Sequence, residues 1–136
     1  MKANALTIKG TRENVETVTT FILNELSEIE VSPKVEAQLN VAIDEIYSNI
    51  SQYAKDGEII DITVKTLLNG DVFSITFIDG GKPFNPLMMD DPDTSLGLED
   101  RKIGGLGIFI VKNTMDDCKY EYTDNQNMLT ITKTIR

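Results

Sequence analysis

Two side chains with complementary chemistry, Glu45 and Asn49, lie four positions apart in a segment with helical periodicity. This spacing places them one turn apart on one flank of a helix, so both can point at one small ligand. An asparagine oxygen can coordinate Mg²⁺ while phosphates fill the other positions. A glutamate one turn earlier can accept a proton from an attacking hydroxyl or water. Taken alone, such a pair more often marks a solvated helix flank.

Asp79 ends an apolar run and is followed directly by Gly80 and Gly81. Its carboxylate can accept a hydrogen bond from an exocyclic amine such as that of adenine. Gly81, which has no side chain, lets the backbone pass close to a planar base. The alternative interpretation of this segment is an ordinary turn after a strand.

A second glycine-rich segment, formed by Gly104, Gly105, Leu106 and Gly107, leads into an apolar run with helical spacing. The first turn of a helix presents backbone N–H groups without intrahelical partners and the positive end of the helix dipole, so it can bind phosphate. The alternative is a simple helix-capping turn.

The rest of the chain predicts the elements that position these residues. Alternating apolar residues predict strands at residues 5–9, 59–68, 71–79, 119–123 and 128–135. Helices are predicted from Thr11 to about residue 28, from Ser32-Pro33 to Gly57, and from the second glycine segment to about Met115. Asn69-Gly70 predicts a two-residue hairpin turn.

Residues 82–103 show no sustained periodicity, which predicts a lid over the site. The helices cluster early and the strands pair as hairpins. This order predicts one domain over residues 1–136 with an α+β fold, a two-layer sandwich in which helices cover one face of a mostly antiparallel sheet.

Composition excludes several classes of function. The 136 residues carry a formal net charge of −9, which argues against binding nucleic acid or an anionic membrane and suits a basic protein partner. The absence of histidine excludes Ser-His-Asp triads, histidine metal sites and phosphoryl transfer to a histidine of this chain. A single cysteine, Cys118, permits no internal disulfide and fits a reducing cytoplasm. No apolar stretch is long enough to cross a bilayer.

The motifs Glu45-x-x-x-Asn49, Asp79-x-Gly81 and Gly105-x-Gly107, in this order, resemble the N box and the two glycine boxes of the GHKL (Bergerat-fold) ATP-binding family. The chain is most similar to the stand-alone bacterial anti-sigma factor serine kinases of that family. This finer resemblance is carried by the sequences IDE at residues 43–45, PFNP at 83–86 and KNTMD at 112–116.

The resemblance implies a role for each motif residue. Glu45 would be the general base toward a serine hydroxyl, and Asn49 would hold Mg²⁺. Asp79 and Gly81 would bind the adenine of ATP. Three further groups complete the implied site: residues 104–107 for the phosphates, Arg101 or Lys102 for the charge of the γ-phosphoryl group, and Thr130 for support of the adenine pocket.

The implied function is that of a cytoplasmic, ATP- and Mg²⁺-dependent serine/threonine kinase and anti-sigma factor. It would sequester a sigma factor and phosphorylate an anti-anti-sigma protein of the STAS type. The resemblance and an exposed N-terminal edge strand also imply a homodimer.

Two alternatives stay open. Tyr53 stands where the branch often has histidine, and Pro83 stands where a second glycine is common, which favours a nucleotide-responsive binding module without kinase activity. A detached catalytic domain of a two-component histidine kinase would need a separate chain that bears the phosphoacceptor histidine.

Overall fold

The computed structural model describes residues 1–53, 58–88 and 105–135. Helices and strands follow one another in the predicted order, with a 3₁₀ turn before the first helix and another after the third strand. The elements are β1 (Lys2–Lys9), a 3₁₀ turn (Arg12–Asn14), α1 (Val15–Asn24), α2 (Pro33–Tyr53), β2 (Asp61–Asn69), β3 (Val72–Asp79), a 3₁₀ turn (Pro86–Met88), α3 (Gly105–Thr114), β4 (Asp117–Thr123) and β5 (Gln126–Thr134).

The five strands form one sheet in the order β1-β2-β3-β5-β4, and every neighbouring pair is antiparallel. The central strand β3 therefore pairs with β5, which follows it in the chain only after the whole of α3 and β4. This pairing places Asp79, the last residue of β3, opposite Asn127 near the start of β5. The predicted α+β sandwich with an antiparallel sheet is confirmed.

The hydrophobic core lies between the helices and one face of the sheet, called the inner face below. Alternate residues of the strands are buried there, as expected for a sheet that is covered on one side. The buried side chains include Phe73, Ile75 and Phe77 on β3, Ile62 and Val64 on β2, Leu129 and Ile131 on β5, and Val18, Ile22, Leu39, Ile43 and Ile46 on the helices. Burying each such side chain stabilises the fold by about 1.5–3 kcal/mol. Within the described ranges, no helix is long and apolar enough to cross a membrane.

Local sequence signals explain most of the helix boundaries. The Ser32 hydroxyl oxygen accepts a hydrogen bond of 3.2 Å from the backbone N–H of Val35, and Pro33 is the first helical residue, so the predicted start of α2 is confirmed. The first helix is shorter than predicted. Thr11 makes no side-chain cap, a 3₁₀ turn comes first, and after Asn24 the backbone continues in i→i+3 hydrogen bonds.

The hairpin loops differ from the predicted turns by one or two residues. Asn69 pairs with Val72, so the first loop is Gly70-Asp71 rather than Asn69-Gly70, and Gly70 has a φ of +63°. In the second hairpin only Asp124 and Asn125 form the loop, with φ values of +53° and +62°. Asparagine and aspartate tolerate this left-handed conformation better than other residues with side chains. Asn127 is consequently a strand residue and not part of the turn.

One buried carboxylate fastens the edge strand β1 to the helical layer. The Glu25 side chain, just after α1, is 8% exposed, and its Oε2 accepts a hydrogen bond of 2.8 Å from the Asn4 amide. The Lys2 ammonium lies 3.4 Å from the same oxygen, with its side chain about half exposed.

We expect Glu25→Ala to lower the free energy of unfolding by about 1–3 kcal/mol, because it leaves the Asn4 amide without its charged partner. The matched control is Glu28→Ala, an exposed glutamate one turn later, for which the change should stay within about 0.5 kcal/mol. Urea unfolding of both variants measures the difference. Equal effects would show that Glu25 does not fasten β1.

Candidate functional site

Asp79 is buried at the end of the central strand, on the inner face, and is 8% exposed. Its Oδ1 accepts two hydrogen bonds, of 2.9 Å from the Gly81 backbone N–H and of 3.1 Å from the Asn127 amide. Burial raises the pKa of the Asp79 carboxyl, and these two hydrogen bonds oppose that rise. Among the described residues no group donates to Oδ2, so this oxygen is available to a ligand.

Asn127 organises the segment that follows β3. Its Nδ2 also donates to the carbonyl oxygens of Gly81 (3.3 Å) and Lys82 (2.9 Å). Its Oδ1 accepts a hydrogen bond of 3.0 Å from the Phe84 backbone N–H and a second from the Tyr120 hydroxyl. One buried amide thus connects β5 to the segment that follows β3. The sequence patterns did not predict this connection.

Asn49 projects from α2 toward the same region. The residue is 7% exposed, and its Nδ2 is buried without a hydrogen-bond partner within the described part of the chain. A buried polar atom without a partner costs free energy, so it marks a place where a ligand would supply the missing contact.

Asn49, Asp79 and Asn127 line a narrow slot between α2 and the sheet. Apolar side chains, including Ile46, Phe77 and Leu129, form much of its wall, and Phe84 and Tyr120 add aromatic surface. The slot contains a cavity of about 30 Å³. Mostly apolar walls with a few convergent polar groups are typical of sites for small planar ligands.

Glu45, one turn before Asn49 on α2, lies against the start of α3. A Cβ atom added to Gly107 would lie 1.9 Å from the Glu45 Cδ and 2.0 Å from its Oε2, so the carboxylate packs directly on the Gly107 backbone. Burial raises the pKa of the half-buried Glu45 carboxyl, and the neighbouring Asp44 charge raises it further. A potential proton acceptor is therefore held at the helix end that favours anions.

A divalent cation at this site would depend mainly on its ligand for coordination. Within the described residues, no group of three or more histidine, cysteine, aspartate or glutamate side chains could hold a metal ion. The Asn49 side-chain oxygen is the group on α2 that could complete the shell, whereas its unpartnered Nδ2 is a donor and would pair with an acceptor of the ligand. Mg²⁺ accepts such a site, since it commonly uses one or two protein ligands with phosphate oxygens and water.

The structure brings together part of the predicted site. Asn49, Asp79 and Gly81 meet around the slot, and Glu45 meets Gly107. Gly105 and Leu106 lie in the first turn of α3. The remaining predicted residues of the lid end, Arg101, Lys102 and Gly104, lie outside the described residues.

Thr130 is not brought to the slot. It lies on β5 opposite Thr76, with their hydroxyl oxygens 2.9 Å apart, on the outer face of the sheet. Side chains alternate along a strand, so Asn127 and Leu129 face inward and Thr130 faces outward. The inward-facing polar residue of β5 is Asn127. The two-residue loop Asp124-Asn125 fixes the register of the second hairpin, and this register is what identifies Asn127 as an inward-facing residue.

A two-layer sandwich with this site between its central strand and its helices defines the class of GHKL-type ATPase folds. The chain belongs to the family of the histidine kinase-like ATPase domain, whose model matches residues 8–133. A serine-protein kinase of Listeria monocytogenes, RsbW, is 30% identical over 96 residues, which are 67% of this chain and 61% of that protein. The chain thus spans less than two thirds of this relative. The resemblance drawn from the motifs is confirmed at the level of the family.

Solved structures with low sequence identity share the fold. The crystal structure of the RsbU and RsbW domains of Rv1364c from Mycobacterium tuberculosis matches with a TM-score of 0.69 at 17% identity, over 99% of this chain and 33% of that one. The histidine kinase AdeS of Acinetobacter baumannii matches with a TM-score of 0.52 at 12% identity, over 100% of this chain and 70% of that one.

We expect Gly107→Ala to lower the pKa of Glu45 toward its ordinary value. The new methyl group would occupy the space of the carboxylate, and the flexible Glu45 side chain would move into water, where desolvation no longer raises its pKa. NMR titration of the Glu45 carboxyl carbon measures the shift. Gly80→Ala is the control, because a Cβ there meets nothing within 4 Å. An unchanged Glu45 pKa in Gly107→Ala would contradict the packing.

Proposed function

We propose that this chain is an ATP- and Mg²⁺-dependent protein serine/threonine kinase and anti-sigma factor that acts in the cytoplasm. Residues 1–136 would form one catalytic domain, with a lid over about residues 82–103. The observation that carries the proposal is the joint placement of a hydrogen-bond acceptor in an apolar slot and a carboxylate at the start of α3. Membership of the ATPase family and similarity to a serine-protein kinase support it.

The slot suits the adenine end of ATP. Asp79 Oδ2 would accept a hydrogen bond from the exocyclic amine, while Phe77, Leu129 and the other apolar walls would cover the ring. Phe84 and Tyr120, which also line the slot, would add aromatic surface beside the ring.

The start of α3 suits the phosphates. Gly105, Leu106 and Gly107 lie in the first turn of a ten-residue helix, where backbone N–H groups have no partner within the helix and can bind phosphate oxygens. Arg101, Lys102 and Gly104 would contribute charge and backbone contacts from the segment before it.

Glu45 would act as the general base. It would take the proton from a serine hydroxyl as the serine oxygen forms a bond to the γ-phosphorus, and the bond from that phosphorus to the β-phosphate oxygen breaks to release ADP. Its raised pKa makes it a stronger proton acceptor than an exposed glutamate while it is ionised. Asn49 would hold the magnesium ion, which supplies positive charge to the phosphates when it is bound.

The proposed protein partners follow from the motif resemblance. They are a sigma factor, which the chain would sequester, and a STAS-type anti-anti-sigma protein, whose serine it would phosphorylate. The net charge of −9 suits a basic partner surface. We also propose a homodimer that uses the exposed edge strand β1, and light scattering that gives a monomer mass would dismiss it.

A nucleotide-responsive binding module without kinase activity is the second candidate. It is favoured by Pro83, whose neighbours Lys82 and Phe84 are both fixed by Asn127, since proline restricts the same segment further. ATP would then change partner affinity by shifting the population of conformations. Phosphoserine on a STAS-type partner would reject this candidate.

Asp79→Asn should weaken ATP binding about 10- to 100-fold, because it replaces the charged acceptor for the exocyclic amine. The variant should be at least as stable as the wild type at neutral pH, since it removes a buried charge. Calorimetric titration with ATP and Mg²⁺ measures the affinity. The control is Asp61→Asn, an exposed carboxylate at the same end of the sheet. Equal ATP affinity in wild type and Asp79→Asn would contradict the assignment of the base site.

Glu45→Gln should reduce phosphoryl transfer to a purified STAS-type protein by about 100-fold or more while ATP binding persists. The amide keeps the size of the side chain but cannot accept the proton. Transfer is followed with ATP labelled on its γ-phosphate, and Glu36→Gln, an exposed glutamate on the same helix, is the control. Full transfer by Glu45→Gln would overturn the general-base role.

A further inference from the structure

Asn127 has the largest set of side-chain hydrogen bonds around the slot. Its amide is buried and 6% exposed. It contacts Asp79 on β3, Tyr120 on β4, and three residues of the segment that follows β3, which are Gly81, Lys82 and Phe84. A residue that merely filled space would not need five polar contacts. The contacts instead surround Asp79, the residue that would form the hydrogen bond with the base.

The two carboxylate oxygens of Asp79 have different hydrogen-bond partners. Oδ1 receives the Gly81 N–H and the Asn127 amide, whereas Oδ2 receives no hydrogen bond from the described residues. A carboxylate turns about its last bond with little resistance, so one donor alone leaves its plane loosely defined. Two donors, one from the turn after β3 and one from β5, fix that plane, and they leave Oδ2 for the ligand.

We propose that Asn127 is a positioning residue that sets base selectivity by holding Asp79 so that this side chain presents only an acceptor to the base. This inference rests on the proposed ATP-binding function and deepens it. An acceptor pairs with the 6-amino group of adenine. It repels the 6-oxo group of hypoxanthine, which would leave two lone-pair-bearing oxygens facing each other without a proton between them.

The same contact keeps the acceptor ionised. The Asn127 amide donates to the charged form of Asp79, and without that donor burial would raise the Asp79 pKa further. Protonated Asp79 could donate to a 6-oxo group, so selectivity would fall. The other titratable groups that line the slot are Lys82 and Tyr120, and burial raises the Tyr120 pKa above its ordinary value. From α2 the lining residues are Ile46, Asn49 and Ile50, which do not titrate.

The experiment compares ATP with inosine triphosphate, which differs from it at the 6-position of the base. Calorimetry over a range of acid to neutral pH gives both affinities for wild type and Asn127→Ala. We expect wild type to prefer ATP by about 10- to 100-fold, and Asn127→Ala to reduce that preference to about threefold or less. The pH below which ATP affinity falls should be higher in the variant than in the wild type. NMR titration of Asp79 in the ligand-free variant should show a raised pKa.

Two further variants separate positioning from general damage. Tyr120→Phe removes one contact to Asn127 but leaves its bond to Asp79, and it should shift selectivity in the same direction by a smaller factor. Asn85→Ala removes the acceptor for the Leu87 N–H in the same segment without touching Asp79, and it should leave the preference intact.

Three results would count against the inference or its basis. Equal losses of ATP and inosine triphosphate affinity in Asn127→Ala, with an unmoved Asp79 pKa, would reduce Asn127 to a structural residue. If Asn85→Ala lost the preference for ATP as fully as Asn127→Ala, the specific role of Asn127 would also be overturned. Absence of nucleotide binding by the wild type would instead overturn the proposed function, and the ligand-free titration would still report whether Asn127 controls Asp79.

Discussion

The pairing of β3 with β5 is the constraint on which the site depends. A carboxylate buried at the end of the central strand is costly unless donors satisfy it, and one of the two donors to Asp79 comes from β5. The register sets Asp79 opposite Asn127. A slip of one residue would place Met128 there and turn the Asn127 amide to the other face of the sheet. The hydrophobic alternation that buries Leu129 and Ile131 therefore also specifies the polar site.

The helix α2 carries Asn49 at the slot and Glu45 at the start of α3. Hydrogen bonds on its opposite face fix its rotation about its own axis. On the side away from Glu45 and Asn49, the Tyr47 hydroxyl donates to the Thr11 carbonyl, and the Ser51 hydroxyl donates to the Gly10 carbonyl at 3.0 Å. These anchors to the turn after β1 hold the opposite flank of α2 toward the slot and toward α3. The turn after β1, which is distant from α2 in the chain, thus determines where the Glu45 side chain points.

The sequence predicted the parts of this structure that depend on local signals. The start of α2 follows from Ser32 and Pro33, and the fold class follows from the order of apolar patterns. The contact between Glu45 and Gly107 and the role of Asn127 depend on strand order, which no local pattern encodes. The role of Thr130 in the adenine pocket was implied by the motif resemblance and not by the alternation along β5. The loop of two left-handed residues, Asp124 and Asn125, sets the register in which Asn127 faces inward and Thr130 faces outward.

The absence of a side chain at Gly107 has an evolutionary consequence. The Glu45 carboxylate fills the volume that any larger residue at position 107 would need, so the two positions are not free to vary independently. A lineage that shortens the side chain at position 45 also releases position 107 from being glycine. A lineage that keeps the glutamate but replaces the glycine would displace the flexible carboxylate from the start of α3. We therefore expect the proposed catalytic role of position 45 to persist only in lineages that also keep glycine at position 107.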